Sequence, residues 1–278
     1  MRFTTKLLVA GLLAAVAGTA QARIQDASGG NSEWVFSAWD AIAGIGYTYD
    51  LQTDATFETF FGGGTSVDGV VQGAAPGQDI FNAALPGFSD FLAAPGVSAA
   101  NVVWNLFAGD GAGLARWAAT QTVAPLNGLT NLSTANVVGR FNQYVGAVNG
   151  KGTHIGADPL EDGFAQTTQS DLTAYAGNAP TWGALLGNTA TDTTGGLDDQ
   201  LGLYFYWQKS SAANQRNQPG GVLPVTAGGL DVFAQVVGGT EGYSLLVTSV
   251  PEPGTYAMLV AGLLALGAIA RRRLSNAA

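Results

Sequence analysis

The sequence predicts a mainly β protein: a β-sandwich or jelly-roll-like body with one or two accessory helices, an N-terminal signal peptide and a single C-terminal transmembrane helix. Three observations carry that expectation. Several short segments alternate apolar and polar residues with a period of two, separated by Gly-rich turns. Aromatic residues occupy both faces of some of these segments, which implies burial on both sides and hence two packed sheets. Apolar runs with basic flanks stand at both ends of the chain.

In chain order, Arg2 and Lys6, the apolar run 7–16, and Ala20 and Ala22 around Gln21 form the three parts of a secretory signal peptide over residues 1–22, cut before Arg23. The secreted β-rich domain spans 23–249. Its first hairpin places Trp34, Phe36 and Ala38 against Ile45, Tyr47, Tyr49 and Leu51 across a turn at 40–44. A second hairpin runs over 101–108 and 114–122, around Gly109-Asp110-Gly111-Ala112-Gly113. From Ser133 the period changes: Val137, Val138, Phe141, Tyr144, Val145 and Val148 recur every three or four residues, predicting one amphipathic helix that stops at Gly150. Shorter helical turns are expected at 89–94 and 181–186. Leu201, Leu203, Phe205 and Trp207 face away from Tyr204 and Tyr206 on a further strand, and two last strands follow at 230–237 and 243–250.

Composition narrows the chemistry. Charged residues make up 11% of the 278 positions, cysteine is absent, and His154 is the single histidine. Disulfides, thiolate nucleophiles and Cys-ligated metals are excluded, as is a two-His metal site within one chain. The formal charge is -9. Five of the eleven basic residues and one of the twenty acidic residues lie in the terminal segments, so the body carries about -13. Such a body has no basic stripe for nucleic acid, and none is expected as a partner.

The body offers few motifs. No G-x-S-x-G elbow accompanies His154, which reads as a solvated loop histidine. The glycines of 109–113 and 146–152 depart from both the dinucleotide and the P-loop fingerprints. Asp158, Glu161 and Asp162 precede Gly163, and Asp192, Asp198 and Asp199 surround Gly195-Gly196. Carboxylates in such loops, with backbone carbonyls, suit extracellular Ca²⁺, but neither group has EF-hand spacing, and solvated turn carboxylates are the plainer reading. No other cofactor is expected. Trp39, Trp117, Trp182 and Tyr206 are candidates either for sugar stacking or for the core.

The last segment, 250–278, is the most specific. Val250, Pro251, Glu252 and Pro253 keep the chain extended, an uncharged run follows over 256–270, and Arg271, Arg272 and Arg273 close it. Fifteen helical residues reach about 22 Å, short of the roughly 30 Å hydrocarbon core, a deficit that arginine snorkelling and Tyr256 at the opposite interface accommodate. The Arg cluster places the C-terminus in the cytoplasm and the body outside.

The tetrad, short Gly/Ala/Leu-rich helix and Arg cluster together resemble the PEP-CTERM sorting signal of Gram-negative bacteria, a tail also described as an ice-binding-protein C-terminal domain. The body shows no Thr-x-Thr ladder of the kind a flat ice-binding face needs. The resemblance implies export through the secretion translocon and signal peptidase, an inner-membrane-anchored intermediate, and processing at the tetrad by an exosortase. The chain then passes to the cell surface or extracellular space, in association with exopolysaccharide or biofilm. It assigns recognition to Val250, Pro251, Glu252 and Pro253, and stop-transfer to Arg271, Arg272 and Arg273. The expectation is therefore an exported, non-enzymatic surface or matrix protein. The alternatives are a carbohydrate-binding module or lectin, calcium-assisted, and a secreted glycoside hydrolase or lyase working through two carboxylates.

Overall fold

The computed structural model describes residues 23–63, 66–122, 129–155 and 162–249, with backbone alone at 52–55. The signal peptide with Ala20 and Ala22, and the tail with its tetrad, apolar run and Arg cluster, lie outside the described residues. Among the described residues no helix is long and apolar enough to cross a membrane.

The body is mainly β, as expected, but it is one sheet and not a sandwich of two. Twelve strands form it: β1 (Glu33–Asp40), β2 (Ile45–Thr56), β3 (Asp79–Ala84), β4 (Val102–Asp110), β5 (Arg116–Gln121), β6 (Phe164–Thr168), β7 (Gly195–Gly196), β8 (Gln200–Trp207), β9 (Gly221–Pro224), β10 (Thr226–Ala227), β11 (Leu230–Gly239) and β12 (Gly242–Ser249). The spatial order is β3-β12-β11-β8-β5-β4-β1-β2-β6, with β7, β9 and β10 paired to β4, β8 and β11, and the strand pairs are antiparallel.

The sheet curls. Flat, β12 and β1 would stand five strand spacings apart, about 24 Å. Yet the Phe88 ring is 5.6 Å from Phe36 of β1, 5.1 Å from Tyr47 of β2 and 5.4 Å from Tyr243 of β12. Phe88 opens the short helix α2 (Phe88–Leu92), which with α1 (Phe57–Phe61) fills the concave side. Phe60 of α1 likewise links Trp34 of β1 (4.9 Å) to Phe81 of β3 (5.6 Å). α1 starts in a capping box: Thr56 accepts from the Thr59 N–H while the Thr59 hydroxyl accepts from the Thr56 N–H.

The convex side is covered by α3 (Asn131–Val148) and the irregular segment after β6. Thr130 caps α3, accepting from the Ser133 N–H at 3.1 Å, and Val137, Phe141, Tyr144, Val145 and Val148 form its buried stripe. Phe141 packs 4.6 Å from Phe107, and Tyr144 stacks 5.1 Å from Trp182. Both faces of β1, β4 and β5 are thus dry. That produces the doubly aromatic strands that suggested two sheets, with curvature and helices supplying the cover instead.

Buried charge is placed by local bonding. Arg116 donates twice to Asp110, donates to the Ser66 carbonyl at 2.8 Å, and lies 5.3 Å from the Phe57 ring centre. Burial opposes ionisation of Asp40 at the β1–β2 turn, but its oxygens accept from the N–H groups of Ile42, Ala43 and Ser98. Those donors hold its carboxyl below the usual range.

Candidate functional site

Two features of the body bear on function: buried ionisable groups at the start of β1 and the middle of β2, and the attachment point of the C-terminal segment. The cluster begins with strand alternation. Glu33 shares the convex face of β1 with Val35, and Val35 pairs with Asp50 of β2. Glu33 is 3% and Asp50 2% exposed. The Gln25 N–H donates to Glu33 at 2.8 Å, and the Gly163 N–H donates to Asp50.

Burial raises Glu33 to about 7, against the Gln25 bond and with help from the charge of Asp162. Burial raises Asp50 to about 8, against the Gly163 bond and with help from Glu33 and Asp162. His154, in a short 3₁₀ turn after α3, is fully buried, with its Nδ1 3.8 Å from an Asp50 oxygen. Burial lowers its ring to about 4, partly offset by the Thr48 backbone, so it is neutral at neutral pH. The expected solvated histidine is therefore a core histidine. At 3.8 Å the imidazole is beyond hydrogen-bond reach of Asp50, and all three side chains are buried from solvent in this conformation.

Sequence reading missed Glu33 and Asp50 as a pair. The available signal was their position inside alternating strands beside Trp34 and Tyr49, where a carboxylate is seldom free.

The remaining sequence candidates are scattered. Asp158 and Glu161 lie outside the described residues. Asp162 accepts from the Tyr49 hydroxyl at 3.3 Å. Asp192 accepts from the N–H and hydroxyl of Thr194, and Asp199 from the Gly196 N–H at 2.7 Å, so both organise turns. Asp198 is exposed. Among the described residues no group of three His, Asp or Glu side chains is gathered for a metal ion. The four aromatic candidates belong to the core: Trp39, Trp117, Trp182 and Tyr206 are at most 4% exposed, and Trp117 stacks on Tyr206 at 3.9 Å. They offer sugars no platform, because a stacking ring must present its face to solvent.

The second feature is the end of β12. Ser249 is fully buried. Its N–H donates to the Gln78 carbonyl at 3.3 Å, its hydroxyl accepts from the Gly77 N–H at 3.0 Å, and that hydroxyl donates to the Ala75 carbonyl at 3.4 Å. The Thr248 hydroxyl also donates to Gln78. Residues 69–78 are in turn anchored to β10: the Val71 N–H donates to the Thr226 carbonyl and the Thr226 N–H to the Gly69 carbonyl. Gly228, at φ +58, lets the next turn close on Pro76, where a Cβ would come within 2.5 Å of the ring. The last strand is thus locked up to the residue before Val250.

Neither a curated protein nor a solved structure matches the chain. The family model for the PEP-CTERM protein-sorting motif matches residues 249–273, beginning at the locked serine and including the tetrad and the Arg cluster. The chain therefore carries a PEP-CTERM protein-sorting motif, which marks an exported protein processed by an exosortase and sorted to the cell surface.

Proposed function

We propose that the body is a non-enzymatic surface or extracellular-matrix protein, exported through the translocon, held briefly in the inner membrane by its tail, released at the tetrad and associated with exopolysaccharide. The observation that carries this reading is the sorting motif, whose first residue is the last residue of the final strand of the curled sheet. Support for a non-catalytic role comes from the sealing of Glu33, Asp50 and His154. The burial of Trp39, Trp117, Trp182 and Tyr206 removes the feature that favoured a lectin.

Deleting residues 250–278 tests the reading. The full-length gene is expected to deliver the body to the surface and matrix fraction, from which enzymatic digestion of the polysaccharide releases it. The truncated chain is expected in the freely soluble exported fraction. Surface retention of the truncated chain, or a mature body indifferent to polysaccharide digestion, contradicts the proposal.

A further inference from the structure

The sorting motif and the fold meet at Ser249, and chain length then limits where the body can stand. Tyr256, at the start of the apolar run, is seven residues beyond Ser249 and hence at most about 25 Å away. Glu252 is three residues beyond it, at most about 11 Å away. Ser249 itself gives no slack, because its backbone and hydroxyl are bonded to Ala75, Gly77 and Gln78. The opposite end of β12, at the Thr240–Glu241 turn, lies about 27 Å further along the strand.

The surface around Ser249 is built from the segment that holds it. Residues 69–78, Gly-Val-Val-Gln-Gly-Ala-Ala-Pro-Gly-Gln, carry no charge and are mostly exposed, bordered by Asp68 and Asp79. The segment itself brings no charge against anionic lipid, with Asp68 and Asp79 flanking it, so what points this end of the body at the membrane is the short tether from Ser249 to Tyr256.

We propose that the end of the sheet formed by Ser249 and residues 69–78 is a membrane-facing surface, which lies against the lipid headgroups while the tail is in the bilayer. The inference rests on membrane retention of the tail, as set out above. It leaves the tetrad in a narrow gap between the body and the bilayer.

The absence of cysteine makes the test direct. Ala75→Cys and Thr240→Cys each create a unique labelling position on exposed residues, and Gln72→Cys supplies a second position on the neutral segment. The full chain carrying an environment-sensitive fluorophore is reconstituted into phosphatidylethanolamine–phosphatidylglycerol vesicles containing a headgroup nitroxide lipid. Quenching at positions 72 and 75 is expected to exceed that at 240 several-fold. Equal quenching at both ends, or stronger quenching at 240, overturns the proposal. Failure of the unlabelled full chain to float with the vesicles overturns the membrane-retention reading itself, and the surface with it.

Discussion

Glu33, Asp50 and His154 give the body its pH response. Unfolded carboxyls titrate near 4.5 and 3.8, whereas the folded values are about 7 for Glu33 and about 8 for Asp50. Between those limits the folded chain holds protons that the unfolded chain releases, so stability falls as pH rises through the window. His154 acts in the opposite sense: its folded value of about 4 lies below 6.5, so it costs stability as pH falls from 6.5 towards 4. Two carboxyls outweigh one imidazole, and above 6.5 they act alone. Calorimetry is expected to give a higher melting midpoint at pH 5 than at pH 8. Asp50→Asn, which keeps an acceptor for the Gly163 N–H, should raise the midpoint at pH 8 and flatten the slope; an unaltered slope in that variant contradicts the assignment. The strand positions of Glu33 and Asp50 were legible from alternation with Trp34 and Tyr49. Their isolation from water was not, because the neighbours of Asp50, Gly163 and the turn bearing His154, are brought in from about a hundred residues away.

At the level of elements, α3 shows what periodicity can reveal. Its stripe from Val137 to Val148 was readable because every member faces one sheet. Truncating the centre of that stripe, Phe141→Ala, is expected to cost about 3–5 kcal/mol by denaturant unfolding. Leu132→Ala, at a position 39% exposed, should stay within about 0.5 kcal/mol. Similar costs for both would contradict the packing of α3 on the convex face. β3 and β6 escaped sequence reading because each is a short edge strand whose buried positions, Ala83 in β3 and Ala165 and Thr167 in β6, are small or polar and give no apolar alternation. α1 spans five residues, too few to display a period, although the Thr56 and Thr59 pair that caps it is visible in the sequence. The choice of a second sheet over a curled single one failed for a different reason. Alternation reports that a face is dry and not what dries it, and here Phe57, Phe60, Phe61, Phe88 and Phe91 do so from two helical turns.

For the whole molecule, the informative segments are its two ends and the informative structure lies where one end leaves the fold. Arg2, Lys6, Ala20 and Ala22 have the pattern expected of an export signal, and residues 249–273 match a sorting motif that begins inside the last strand. A cysteine-free body of 227 residues sustains itself outside the cell on two aromatic-rich cores, a size that buries about 70% of the unfolded surface. The activity of that body was not legible in its sequence, because the residues with the most chemistry, Glu33, Asp50 and His154, are folded away from solvent. Trafficking was legible, because short contiguous segments specify it without a fold. The most direct test is the intact mass of the protein isolated from the cell surface. A chain beginning at Arg23 and ending at or near the Val250–Pro253 tetrad is the expected result; recovery of the uncut 28.3 kDa chain from the cytosol contradicts it.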